Sequence, residues 1–146
     1  MLVYFLFAIF ILLAIACVLT TQQDPIIRGV NEKYTLLLVC INGKEKDNKF
    51  YDPIRKRIPL TFYRTRKNDL GYNVNKGYEI GLCVDGTVND VFHVLIHELA
   101  HSLTDVYTHD ETFWKNFDIL KDLCIREGIY ESITQKKSFC GKYIQD

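Results

Sequence analysis

The chain has 146 residues and a mass of 17.1 kDa, room for one domain and not two. Lys and Arg together number 18, as do Asp and Glu, so the formal charge is zero; nucleic acid, which selects a basic surplus, is not an expected partner. Every charged residue lies at or after Asp24, which separates an apolar leader from a charged body and rules out a polytopic membrane protein.

Residues 2–19 (LVYFLFAIFILLAIACVL) are apolar without interruption. A helix of that length spans about 27 Å, close to the hydrocarbon core of a bilayer. The expectation is a single-pass membrane anchor over residues 1–20. A cleaved signal peptide competes, because Ala14-Ile15-Ala16 has the small-x-small form of a cleavage site, and cleavage would release a secreted body. The absence of Lys or Arg ahead of the run favours the anchor. Arg28 and Lys33 after it slightly favour a body on the cytoplasmic side. Cys17 reads as a packed or lipid-facing thiol.

Residues 21–33 read as a polar linker and 34–146 as the domain. Tyr34–Ile41 (YTLLLVCI) fits a buried strand or an apolar helix, and 42–49 (NGKEKDNK) a loop. Residues 50–67 mix aromatics with Arg and Lys around Pro53 and Pro59 and define no element; 68–77 carry turn residues. Tyr78–Val84 alternates and predicts a strand, with Gly81 pointing to a bulge or a close approach by another chain. Thr87 and Asp90 form a capping-box pattern. Apolar residues at 88, 91, 92, 95, 96, 99 and 103 then predict a helix from Val88 to Leu103. Thr108 and Glu111 suggest a second cap. Phe113, Phe117, Leu120 and Cys124 follow at helical spacing, and Gly128 is the expected stop.

His97-Glu98-Leu99-Ala100-His101 is an HExxH motif on the first of these helices. Residues four apart are offset by about 40° and one turn, so both imidazoles can aim a ring nitrogen at one ion, about 2.0–2.1 Å away for zinc. Glu98 lies about 100° round from His97 and can face a water on the ion as general base. A catalytic zinc takes a third protein ligand and keeps one position open. His109 is the expected third ligand if the helix ends first, since on a continuous helix it would project about 80° away and 12 Å further along. Asp105, Tyr107 and Thr108 supply the break; Asp105 is the alternative ligand. All four histidines fall within residues 93–109, and the motif itself sits on a helix apolar enough to make unpaired imidazoles costly.

His93 is expected to be a core or supporting histidine, because three ligands on successive turns of one straight helix diverge. Asp105 and Asp110 are candidates for turn and helix-start roles or for hydrogen bonds to the far nitrogens of metal-binding histidines. Phe113, Trp114 and Phe117 read as packing anchors. Tyr107, Tyr130 and Tyr143 are candidate hydrogen-bond donors to a transition state. Tyr78, Glu79, Ile80, Gly81 and Leu82 are candidate substrate-pairing positions, on the expectation that their strand is a sheet edge beside the metal. Cys40, Cys83, Cys124 and Cys140 show no CxxC spacing. They allow two disulfides in three connectivities in an oxidising compartment, or four thiols in a reducing one.

The stretch HELAHSLTDVYTHDETFW resembles the small zinc peptidases of the WLM and SprT-like group, in which HExxH is followed by a short spacer and a His with a nearby Phe or Trp opening the next helix. It is similar to the short WLM-like metallopeptidases of large DNA viruses, with their seven-residue spacer, an Asn75-Lys76-Gly77 segment before the strand and a Phe139-Cys140-Gly141 tail. The resemblance covers residues 73 to about 143. It implies one Zn2+ on His97, His101 and His109, Glu98 as general base, peptide or protein substrates, and a host-cell membrane as the location of a tethered viral protein. Cellular members act on proteins crosslinked to DNA, a substrate not carried over to a chain without a basic surplus. The expected fold is α+β: a small zincin-like domain, with a few-stranded sheet packed on the HExxH helix and a following helix, after an N-terminal transmembrane helix. The expected function is a membrane-tethered zinc metallopeptidase. One alternative is an inactive zinc-binding module for protein contacts, against which Glu98 speaks. Another is an adaptor body carried by a functional leader, which predicts no metal.

Overall fold

The computed structural model describes residues 2–20, 24–64, 69–105 and 107–146, with backbone alone for residues 2 and 17–20. Residues 21–23 of the expected linker and the thiol of Cys17 lie outside the described residues.

Helix α1 (Leu2–Thr20) is apolar all round, and its large side chains from Val3 to Ile15 are exposed. Among the described residues no helix is long and apolar enough to cross a membrane. The expected transmembrane helix is not met over those residues.

Helix α2 (Pro25–Gly43) corrects the linker expectation for 25–33. Asp24 caps it by accepting from Ile26 N at 2.8 Å, and Pro25 sits in the first turn, where its missing N–H costs nothing. Its buried face is Val30, Tyr34, Leu37, Cys40 and Ile41. The apolar run 34–41 is thus the second half of a longer amphipathic helix, whose first half Asn, Glu and Arg make look like a linker. A 3-10 segment follows (Lys49–Ile54) and buries Tyr51 and Ile54.

Three strands form one sheet: β1 (Leu60–Tyr63), β2 (Gly71–Val74) and β3 (Glu79–Cys83), in the order β1-β3-β2. β3 runs parallel to β1 and antiparallel to β2. Helix α3 (Val88–Ser102) packs against this sheet and α2, starting at the expected capping box: Thr87 accepts from Asp90 N and Asp90 from Thr87 N. Helix α4 (Glu111–Arg126) lies against α3 and stops as expected, with Gly128 at φ +67 and Ile129 N bonded to Cys124 O at 2.8 Å. A hairpin closes the fold, β4 (Lys137–Phe139) with β5 (Lys142–Ile144), turning through Cys140 and Gly141 at positive φ. A disulfide joins Cys83 at the end of β3 to Cys140 in that turn, while Cys40 and Cys124 are free and buried. The result is a mixed α+β domain whose core lies between the sheet, α2, α3 and α4.

Candidate metal centre

α3 carries His97 and His101 one turn apart, as their spacing requires. The helix ends at Ser102, and Asn116 of α4 binds Leu103 O at 2.9 Å, tying the two helices together where the chain turns. The cap of α4 is Asp110, which accepts from Phe113 N at 2.9 Å, rather than Thr108. His109 is therefore outside the helix, just ahead of its cap, and its ring swings back over α3.

The geometry is compact. His109 Nε2 lies 3.0 Å from His97 Nε2 and 3.1 Å from His101 Nε2, and the three ligand atoms fall within 4.8 Å of one another. Two nitrogens on one tetrahedral zinc are about 3.3 Å apart, from bonds of about 2.0–2.1 Å. Phe113 forms the floor, its ring centroid 4.9, 4.5 and 4.6 Å from those of His97, His101 and His109. The packing anchor expected on α4 is thus the surface against which the imidazoles lie.

Burial, with the neighbouring imidazoles adding to it, pushes His97 down to about 3. Burial and His109 lower His101. Both shifts favour the neutral ring, and the Nε2 atoms converge. Three ring nitrogens brought to one point make a donor set for a single cation, and an all-nitrogen set suits zinc. The residues present fit that ion. His101 Nδ1 is buried without a partner among the described residues.

Glu98 is buried beside this cluster, and burial alone pushes its carboxyl up to about 7. A cavity of about 440 Å³ opens in front, lined by Gly71, Tyr72, Asn73, His93, Glu98, Lys142 and the three histidines among others. Sequence reasoning missed the wall made by β2. Asn73 donates to Glu98 O at 2.6 Å and Ser102 Oγ at 2.9 Å, and accepts from Gly77 N at 2.8 Å. A Cβ on Gly71 would stand 3.0 Å from Glu98 Oε1. The only sequence signal was the turn-rich Asn73–Gly77 stretch.

The other candidates separate. Tyr107 lines the cavity; Tyr143 is exposed elsewhere, and Tyr130 is buried behind His93. His93 stands apart from the three-histidine cluster and binds Tyr130 and Asp146; its pKa is lowered, chiefly by burial. Asp110 is a helix cap, and Asp105 offers its carbonyl to Lys76 Nζ. Neither carboxylate meets a histidine among the described residues. The edge-strand expectation for Tyr78–Leu82 is overturned, because β3 is central, with both sides paired. The close approach at Gly81 is the Tyr72 ring, which a Cβ would strike at 2.1 Å. The strand edge beside the cavity belongs to β2.

An α+β domain with an imidazole triad at the end of one helix defines the class, and the comparisons agree. The family model for the WLM domain matches residues 60–144, and the chain belongs to that family. An uncharacterized protein of Acanthamoeba polyphaga mimivirus is 33% identical over 122 residues, 70% of this chain and 62% of that protein. The chain thus spans less than two thirds of that relative's length. Two crystal structures of Wss1 from Saccharomyces cerevisiae, one a mutant, resemble it at a TM-score of 0.50. They are 22% and 24% identical and cover 75% and 73% of this chain and 90% and 88% of theirs. That likeness is one of fold.

Proposed function

We propose that the chain is a zinc-dependent peptidase, and the observation that carries this is the convergence of His97, His101 and His109 Nε2 beside a buried Glu98. The three imidazoles would hold the ion, which when bound supplies Lewis acidity to a carbonyl and makes a water acidic near neutral pH. Glu98, pushed up to about 7, is suited to take a proton and return it to the leaving amine, since a base works best near ambient pH. The outer edge of β2, which no other strand pairs among the described residues, is placed to receive an extended peptide, the recognition mode first sought on β3. Tyr107 on the cavity wall is the candidate hydrogen-bond donor to the reacting carbonyl.

The exposed apolar surface of α1 supports tethering of this body to a membrane. The Cys83–Cys140 bridge supports an oxidising compartment for the domain, opposite to the slight bias of the flanking charges.

Elemental analysis of the purified protein tests the reading. One zinc per chain is expected, lost in His109→Ala and retained in Glu98→Gln, with peptide hydrolysis reduced about 100-fold or more in the latter. Equal hydrolysis by Glu98→Gln and the parent protein would defeat the mechanism; zinc without hydrolysis in the parent would favour a binding module.

A further inference from the structure

We infer that His93 is a substrate-binding residue whose Nε2 accepts a hydrogen bond from a backbone N–H of an extended peptide in the cavity, with Tyr130 and Asp146 as positioning residues that fix the proton on Nδ1. The inference deepens the peptidase reading and rests on it for the identity of the ligand.

The hydrogen count carries it. The Asp146 carboxylate receives Ile133 N and Ser132 Oγ, both at 2.7 Å, and the Tyr130 hydroxyl at 2.9 and 3.0 Å. Burial works against ionisation of Asp146, but these hydrogen bonds win and hold its carboxyl below the ordinary value. An ionised carboxylate only accepts. The single Tyr130 hydrogen is thereby spent on Asp146, and the phenol oxygen can only accept from His93 Nδ1, 2.9 Å away. The other neighbour of Nδ1 is Asp146 Oδ1 at 3.2 Å, again an acceptor. Nδ1 therefore carries the proton of the neutral ring and Nε2 the lone pair. His93 is only 7% exposed, yet it lines the cavity. Its polar contacts among the described residues are all made by Nδ1, and the ring lines the cavity, which leaves Nε2 as the atom available to a ligand there. A buried ring oriented by two residues from beyond α4 is pre-organised to read a donor, and the commonest donor on an extended peptide is its amide.

Nitrogen-15 imidazole spectra of full-length, zinc-loaded Glu98→Gln protein in detergent micelles, titrated with oxidised insulin B chain, give the direct test. The expected result is a His93 ring protonated at Nδ1 whose Nε2 resonance moves as peptide binds, and a mixture of tautomers in an added Asp146→Asn change. With Glu98 intact, His93→Phe should raise KM roughly three- to tenfold with kcat and zinc content unchanged, and His93→Gln, which restores an acceptor, should recover part of the loss. A proton on Nε2, no movement of its resonance on peptide addition, or a wild-type KM in His93→Phe overturns the inference. So does movement driven by zinc beyond one equivalent, which would make His93 a metal ligand. A moving resonance with no hydrolysis by the parent protein would leave the inference standing and remove the peptidase reading.

Discussion

Glu98 has an ordinary value of 4.5 and is pushed up to about 7 by burial. Between those two values the folded, metal-free protein keeps a proton that the unfolded chain has released. Its stability therefore falls as pH rises through that window, by about 3 kcal/mol at most. Glu98→Gln removes the buried charge, so denaturant unfolding of the two metal-free proteins should coincide near pH 4.5 and diverge in favour of the variant at pH 8. Gly71 tests the room this carboxyl needs. Alanine there would place Cβ 2.7 Å from Val94 Cγ1, 3.0 Å from Glu98 Oε1 and 3.0 Å from the Gly81 carbonyl. About 1–3 kcal/mol of destabilisation is expected, with kcat reduced and zinc retained; an unaltered kcat would show that the carboxyl is not confined by β2. His97, Glu98 and His101 were legible because their relation is fixed within one helix. Gly71 and Asn73 were not, because their partners on α3 lie 23 or more residues away and only the packing of β2 on α3 brings them together.

At the scale of elements, α3 was legible from its cap to its last turn, since both the Thr87–Asp90 box and the apolar period are local. The start of α4 was displaced by two residues. Thr108 and Asp110 both stand three residues ahead of a plausible partner, and the aspartate took the cap. That choice leaves His109 free to turn back over α3. Asp110→Ala should cost about 0.5–2 kcal/mol in thermal melts of the metal-free protein and weaken zinc in competition with a chelator. An unchanged zinc affinity would show that the His109 backbone is placed by other contacts. The lateral order of the sheet was not legible. Ile80, Gly81, Leu82 and Cys83 are all buried, a pattern that announces a strand but not its neighbours, and β1 joins β3 by a parallel pairing that no local signal encodes.

For the molecule as a whole, the Cys83–Cys140 bridge spans a sequence separation of 57 residues and anchors the hairpin that supplies Lys142 to the cavity. Its removal by Cys140→Ser should cost about 4 kcal/mol in the chain-entropy view and lower Tm by roughly 10 °C. Calorimetry with and without reductant would measure it, and equal melting temperatures would mean the bridge adds nothing. This pairing, one of several open to four cysteines, was beyond the sequence because it depends on where the hairpin docks. It also sets a pairing problem for oxidative folding. Cys83 emerges long before its partner, and Cys124 emerges in the interval, so the first thiol available to it from downstream is the wrong one. Burial of Cys124 by α4 shields it from that pairing, and a wrong bridge formed earlier has to reshuffle. A Cys40→Ser/Cys124→Ser double variant, with no decoy thiols in the body, should therefore refold oxidatively in higher yield than the natural chain.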